Sequence, residues 1–377
     1  MDKGDYNHVY IKQLYKNLTE NPSNFKFKID KEGFDAFNAQ TESMYEFLTA
    51  RLKTSAASLG VPDFNYNSVS KREAFFTALG IDCSAGTGKE VWSQYLHLED
   101  VEFFSQVEEL ENLKRIVSHF IDHKSEYYEE SDENMMFYKT ELANIESPVL
   151  RYLLPFEGNV FFQIKFPMLV PFMLAVLSED KALEEAINSG ADHFLALFTD
   201  LIPVDLADNL EHREKKHYIW EFLRKVIYGW AEKDSVYLTK FTELFPKAAL
   251  WIKQTQMSQS KDNFCSVSTF TGRRIICSFT EGEEDKRRFN ILTGSAIDVA
   301  VATAHHVQEK FGLQVARIGT NGVVFSGADS GFMDTIDDFS AKISESVFDF
   351  LSESVSFNKR LLVIFGTGYR LADVLQE

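Results

Sequence analysis

A single lysine interrupts a long uncharged stretch of this sequence. Lys165 follows a run of bulky residues, Val160–Ile164, and precedes Pro167 and a helical pattern that continues to Leu177. Such a run predicts a buried strand, which the proline ends before the helix begins. Many α/β folds place their reactive groups at the end of a buried strand. Lys165 is therefore either a functional residue or the replacement of one.

Basic side chains form a second candidate site. Arg213, Lys215 and Lys216 lie close together at the start of a predicted helix, where they could hold phosphate groups. Arg273 and Arg274 follow a glycine between two predicted strands. The alternative for the helical residues is an ordinary solvated face.

The most acidic segment is 99–133. It contains twelve acidic and three basic residues, a net charge of −9, and its apolar residues keep a near-helical spacing. This pattern predicts an acidic amphipathic helix. The acidic face is either simply solvated or a docking surface for a basic partner, with Glu108, Glu109 and Glu111 as the candidate residues.

Composition limits the classes of function. The net charge of −18 argues against tight binding of a nucleic-acid backbone by the chain as a whole. The three cysteines lack the spacing of a zinc site and indicate reduced thiols. A GTGK sequence within 86–89 lacks the other glycine and the Ser or Thr of a phosphate-binding loop. With no signal peptide and no long apolar span, we expect a soluble cytoplasmic protein without a membrane segment.

The remaining patterns predict mostly helices with scattered strands. Asn321-Gly322 between two apolar runs is a strong hairpin signal, and Phe264–Phe279 predicts a second strand pair. A helix is expected to end at Gly312, and another is expected to break near Pro246. A final helix over 333–355 and a strand over 361–365 complete the chain. This combination predicts an α+β fold built on a small antiparallel sheet.

Taken in order, these segments resemble the polymerase region of family-A DNA polymerases, over about residues 30–377. The matching segments are FNYNSVSKREAFFTALGI, FFQIKFPMLVPFMLAVLSEDKAL, GADHF, REKKHYIWEFLRKVIYG with its closing Tyr228-Gly229, FTGRRI, TGSAIDVAV, ARIGTNGVVFSG and LLVIFGTGYRLADV. The resemblance implies a right-hand fold of thumb, palm and helical fingers, without an exonuclease domain. It implies an N-terminal stub at 1–30, a thumb-like region at 31–150, palm at 151–200, fingers at 201–260 and more palm at 261–377.

The same resemblance implies that the catalytic residues are missing. Family-A polymerases hold two Mg²⁺ ions with an aspartate at the end of the first palm strand and another in the palm hairpin. Lys165 occupies the first of these positions, and Thr320-Asn321-Gly322 occupies the hairpin. The lysine that meets the nucleotide corresponds to Trp220. The resemblance therefore implies no metal and no other cofactor.

Three functions remain open at this point. The first is an inactive polymerase homologue that binds a protein partner, by analogy in phage or plasmid DNA replication and in the host cytoplasm. The second is a diverged polymerase or nucleotidyltransferase that uses Mg²⁺ and other carboxylates. These are Asp192, expected at a helix start, Asp298, expected on a helix surface, and Asp329. The third is a weak, non-catalytic nucleic-acid binder that uses Arg213, Lys215, Lys216, Tyr228, Arg273 and Arg274.

Overall fold

Two units make up the fold in a computed structural model of the chain. One unit covers Lys28–Phe137 and Ile145–Leu154, and the other covers Met1–Phe27, Tyr138–Asn144 and Pro155–Glu377. The residues that the structure describes are 11–14, 16–18, 20, 21, 24, 26–84, 86–122, 135–137, 152–155, 158–204, 210–256, 264–278, 286–328, 336–354 and 363–368.

The smaller unit consists mainly of helices. Strand β1 (Lys26–Ile29) precedes α1 (Lys31–Ser58), α2 (Val69–Ala78), α3 (Lys89–Trp92) and α4 (Glu99–Asp122). Strands β2 (Met135–Phe137) and β3 (Leu153–Leu154) lie on either side of β1 in a three-stranded sheet. Helix α1 begins after Asp30, whose carboxylate accepts a hydrogen bond from the backbone N–H of Gly33 at 2.9 Å.

An aromatic cluster forms the core of this unit. The ring of Phe104 on α4 is fully buried, and its centroid lies 4.8 Å from Phe76, 5.1 Å from Tyr66 and 5.5 Å from Trp92. Aromatic pairs at such distances contribute beyond the area that they bury. The part of the predicted acidic helix that the structure describes, Glu99–Asp122, is thus held by its apolar face, and residues 123–133 lie outside the described ranges.

The larger unit is built around a four-stranded sheet in the order β7-β8-β4-β9. Its members are β4 (Asn159–Lys165), β7 (Gln314–Gly319), β8 (Gly322–Ala328) and β9 (Ile364–Gly368). Every neighbouring pair is antiparallel. Phe161 and Phe162 of the central strand β4 project to opposite faces, and both are buried. Burial of both faces explains why successive positions of this strand are apolar, with Gln163 as a buried polar exception.

The larger unit also contains a series of helices. They are α5 (Leu169–Ser178), α6 (Lys181–Asn188), α7 (Ala191–Ala196), α8 (His212–Tyr228), α9 (Val236–Leu244), α10 (Pro246–Gln256), α11 (Lys286–Phe311) and α12 (Ile336–Ser354). A separate hairpin joins β5 (Phe264–Ser268) to β6 (Arg274–Ser278). Phe162 and Ile164 of β4 belong to the same core as Phe172 of α5 and Ala300 of α11.

Local sequence signals account for several boundaries. Helix α9 ends at Leu244 and α10 begins at Pro246, which lacks the N–H that a continuous helix would use. Helix α11 ends before Gly312, at φ +71°. The predicted β7–β8 hairpin forms, with its turn at Thr320-Asn321 and with Gly322, paired to Gly319, as the first residue of β8. These predictions, and the α+β class with its small antiparallel sheet, are confirmed. The last strand begins at Ile364, three residues later than predicted.

The thumb, palm and fingers layout and its boundaries remain a prediction. Among the described ranges, no helix has both the length and the apolar character that crossing a bilayer requires.

Candidate functional site

Lys165 is the last residue of the central strand β4. It pairs with Gly322 of β8 on one side and with Ile364 of β9 on the other. The next residue, Phe166, donates its backbone N–H to the carbonyl oxygen of Asn321 at 2.7 Å. The hairpin turn is therefore held against the end of β4. Lys165, which is half-buried, and the turn thus lie side by side and form one candidate site.

Gly322 allows this close approach. Its φ is +143°, and a Cβ atom built on it would lie 2.1 Å from the carbonyl oxygen of Ile164. No side chain fits at that distance, and the backbone conformation also disfavours other residues. Thr320 is half-buried and Asn321 is exposed at the turn. Of the four residues at this site, none is acidic.

A strained residue follows the site closely. Met168 precedes α5 with φ +63°, in the left-handed region that non-glycine residues rarely adopt. Its carbonyl oxygen accepts the backbone N–H of Phe172 at 2.9 Å, which starts the helix. Pro167 fixes the preceding backbone. No feature of the sequence indicated this conformation.

Asp298 was expected on a helix surface, and that expectation is wrong. The residue is fully buried in α11. Its Oδ2 accepts hydrogen bonds from the hydroxyls of Thr269 at 2.6 Å and Thr271 at 2.5 Å, and its Oδ1 accepts one from Arg273 Nε at 2.6 Å. Burial raises the pKa of this carboxyl, whereas the Arg273 charge lowers it. Asp298 fastens the β5–β6 connection to α11.

This contact also determines the placement of the two predicted arginines. Arg273 is held by Asp298, and its Nη2 donates to the carbonyl oxygen of Gly294 at 3.0 Å. Gly294 leaves space for it, because a Cβ there would lie 3.4 Å from Arg273 Nη2 and 2.5 Å from Ile275. Arg274, by contrast, is exposed.

The basic residues of α8 are partly neutralised. A capping box starts the helix, in which the backbone N–H of Glu211 donates to Glu214 Oε2 at 2.8 Å. Lys216 Nζ lies 2.7 Å from Asp192 Oδ1, and this bond lowers the pKa of the Asp192 carboxyl. Arg213 is exposed and Lys215 is half-buried. Asp192 is thus at a helix start, as expected, in an ion pair.

Tyr228-Gly229 at the end of α8 has a structural role. Gly229 has φ +74°, and its carbonyl oxygen accepts a bond from the buried Arg288 at 3.2 Å. A Cβ at 229 would lie 1.7 Å from Arg288 Nη1. The Tyr228 ring packs against Trp230 and Phe289, with centroids 4.9 and 5.0 Å away, and burial raises the pKa of its phenol.

The three predicted docking residues on α4 differ in exposure. Glu109 is exposed, whereas Glu108 and Glu111 are half-buried. Burial and, after it, the charge of Glu108 raise the pKa of the Tyr66 phenol. The Tyr45 hydroxyl donates a hydrogen bond to the Glu111 carboxylate. Asp329 lies outside the described residues. Within the described ranges, no three His, Cys, Asp or Glu side chains are grouped so that they could hold a metal ion.

Comparison with known proteins bears on the fold of the chain. No protein-family model and no curated protein matches the sequence. A solved structure is similar: the POL domain of Pol1 from M. smegmatis in complex with DNA primer-template and dNTP. The TM-score is 0.74 and the identity 13%, over 97% of this chain and 70% of that one. This chain has a polymerase-like fold. The similar domain belongs to a family-A DNA polymerase.

Proposed function

We propose that this chain is a polymerase-fold protein that does not synthesise DNA and acts by binding a protein partner. The pairing of Lys165 with Gly322 supports this most directly. These residues occupy the strand end and hairpin at which the resemblance implies metal-binding aspartates. We further propose a setting in phage or plasmid DNA replication, in the host cytoplasm if the gene is phage-borne.

The residues at this site do not fit a pair of divalent cations. An ammonium group offers no oxygen ligand, and Mg²⁺ requires oxygen ligands. At an effective dielectric constant of ~20, two like unit charges about 4 Å apart repel by about 4 kcal/mol, and a divalent ion doubles this. Gly322 cannot be replaced by an acidic residue unless the hairpin moves away from Ile164. The charge of Lys165 therefore opposes metal binding, and the backbone geometry excludes a carboxylate at position 322.

A primer-extension assay tests this proposal. We expect no template-dependent synthesis with Mg²⁺ or Mn²⁺, under conditions in which an active family-A polymerase extends the same primer. The double variant Lys165→Asp with Asn321→Asp removes the cation and adds two carboxylates. We expect it to gain Mg²⁺ binding in calorimetry without gaining synthesis, because other positions such as Trp220 also differ. Template-dependent extension by the natural chain contradicts the proposal.

A diverged nucleotidyltransferase is less well supported. Both carboxylate oxygens of Asp298 accept hydrogen bonds from protein groups, and Asp192 is paired with Lys216.

Non-catalytic nucleic-acid binding is favoured by one observation, the exposure of Arg213 and Arg274. A gel shift that weakens steeply with salt and is lost in Arg213→Ala with Arg274→Ala tests it.

A further inference from the structure

Exposed apolar side chains on α1 lie beside α4 in the smaller unit. Met44 and Phe47 of α1 expose 45% and 60% of their surface. Arg51 continues their stripe at helical spacing, and its Cζ lies 3.8 Å from the ring centroid of Phe103 on α4. Toward the start of α1, Lys114 Nζ of α4 lies 4.3 Å from the ring centroid of Tyr45. The two helices are thus antiparallel neighbours.

The neighbouring stripe of α4 is also apolar. Phe103 and Leu110 are seven residues apart, on one stripe of α4, and each is only partly covered by the core. Because the helices are antiparallel, this stripe runs beside the Met44–Arg51 stripe. The two stripes together line a groove of about two to three helical turns, roughly 10–15 Å long.

The two edges of the groove differ in charge. Along the Met44–Arg51 stripe of α1, the other exposed residues carry no charge: Ala36, Gln40, Ser43, Ala50 and Thr54. The cation of that stripe, Arg51, is paired with Glu99 at 2.7 Å. On the α4 side, Glu102 and Glu109 are exposed. The groove is therefore an apolar channel with one acidic edge.

We propose that this groove binds an amphipathic helix of a partner protein, with an apolar stripe facing the groove and Lys or Arg along one edge. Apolar anchors supply the affinity, and charged rims supply orientation and choice of partner. A second copy of this chain would bring acidic edges together across a two-fold axis. A nucleic-acid backbone would meet the same negative edge. This inference rests on the proposed function, since it identifies the class of partner.

Fluorescence anisotropy with a designed peptide tests the proposal on the full chain. The probe is a labelled helical peptide of about 20 residues, with leucines on one face and lysines on the other. We expect Phe47→Ala to raise its Kd about tenfold, as for an anchor residue. Val236→Ala on α9 is the matched control, because Val236 is 58% exposed, and we expect no change. Circular dichroism checks that both variants keep their helix content.

Two further arms separate the alternatives. A peptide with glutamates in place of the lysines should bind at least about tenfold more weakly. Replacing Glu102 and Glu109 by glutamine should reduce the salt dependence of binding. Equal Kd values for the Phe47 and Val236 variants, or equal binding of the glutamate peptide, overturn the proposal. So does a dimer in light scattering that Phe47→Ala disperses. Primer extension is independent of these outcomes, so the two proposals fail separately.

Discussion

Lys165 and Gly322 show how a single pair of positions changes the chemistry that a strand end supports. The lysine alone could be reversed by one substitution. The glycine is different, because its φ is +143° and a Cβ at this position would lie 2.1 Å from the carbonyl oxygen of Ile164. That constraint concerns the backbone, so position 322 cannot supply a carboxylate while the hairpin keeps this path, whatever residue stands at 165.

A stability measurement on Gly322→Ala examines this directly. Ala must leave the left-handed backbone region, which costs about 1–2 kcal/mol, and must also push the hairpin from β4. We expect a loss of about 3 kcal/mol or more in the free energy of unfolding, from denaturant titration. Gly312→Ala is the control, because Gly312 also has positive φ but has open space around it. A similar loss of unfolding free energy in both variants would show that the close approach of residue 322 to the Ile164 carbonyl oxygen adds nothing to the destabilisation.

Among the elements, turns and helix ends were predictable because their signals are local. Gly312 and Pro246 each act through the conformations or hydrogen bonds that one residue permits. The Asn321-Gly322 signal predicted the hairpin, although the turn itself lies one residue earlier, at Thr320-Asn321. Asp298 was misplaced for a different reason. Its helix α11 is buried around most of its circumference, so apolar residues give no single face from which to judge exposure. The strain at Met168 likewise depends on packing around the chain and has no local signal.

The contact between α11 and α12 contains a half-buried histidine beside a buried serine, an arrangement that sequence spacing could not reveal. His306 Nε2 lies 2.7 Å from Ser346 Oγ, which also accepts a bond from Lys310 Nζ at 2.6 Å. The imidazole stacks on Phe350 with centroids 4.3 Å apart. Burial, then the nearby Lys310 and His305, lowers the pKa of His306 to about 4.

This arrangement predicts a loss of stability in mild acid. The folded-state pKa of His306 lies below its unfolded value of about 6.5, so the stabilisation is present above that value and declines as the pH falls toward 4. Because His306 is partly exposed, we expect the free energy of unfolding to fall by only about 1–2 kcal/mol between about pH 7.5 and pH 5. We expect His306→Gln, which stays neutral, to lack this part of the pH dependence in urea titrations. An identical pH dependence in both proteins would contradict the assignment.

At the scale of the whole molecule, the two units have separate hydrophobic cores. One core contains Phe104, Phe75 and Trp92, and the other contains Phe162 and the residues of α5 and α11. Most of the short motifs that carried the resemblance lie in the larger unit, whereas FNYNSVSKREAFFTALGI lies on and around α2 of the smaller unit. The groove on the smaller unit had no such signal, since exposure of Phe47 depends on which neighbours cover it.

Separate cores predict that damage to one unit stays in that unit. Phe104→Ala removes a ring that contacts Tyr66, Phe76 and Trp92, all in the smaller unit, at a cost of about 3–5 kcal/mol. In hydrogen exchange read by mass spectrometry, we expect faster exchange throughout α1, α2 and α4 and unchanged protection in β4, β8 and α11. Faster exchange in both units would mean that they unfold as one. Because the proposed groove lies on α1 and α4, the same variant should also lose binding of the lysine-containing peptide, while the larger unit keeps its protection from exchange.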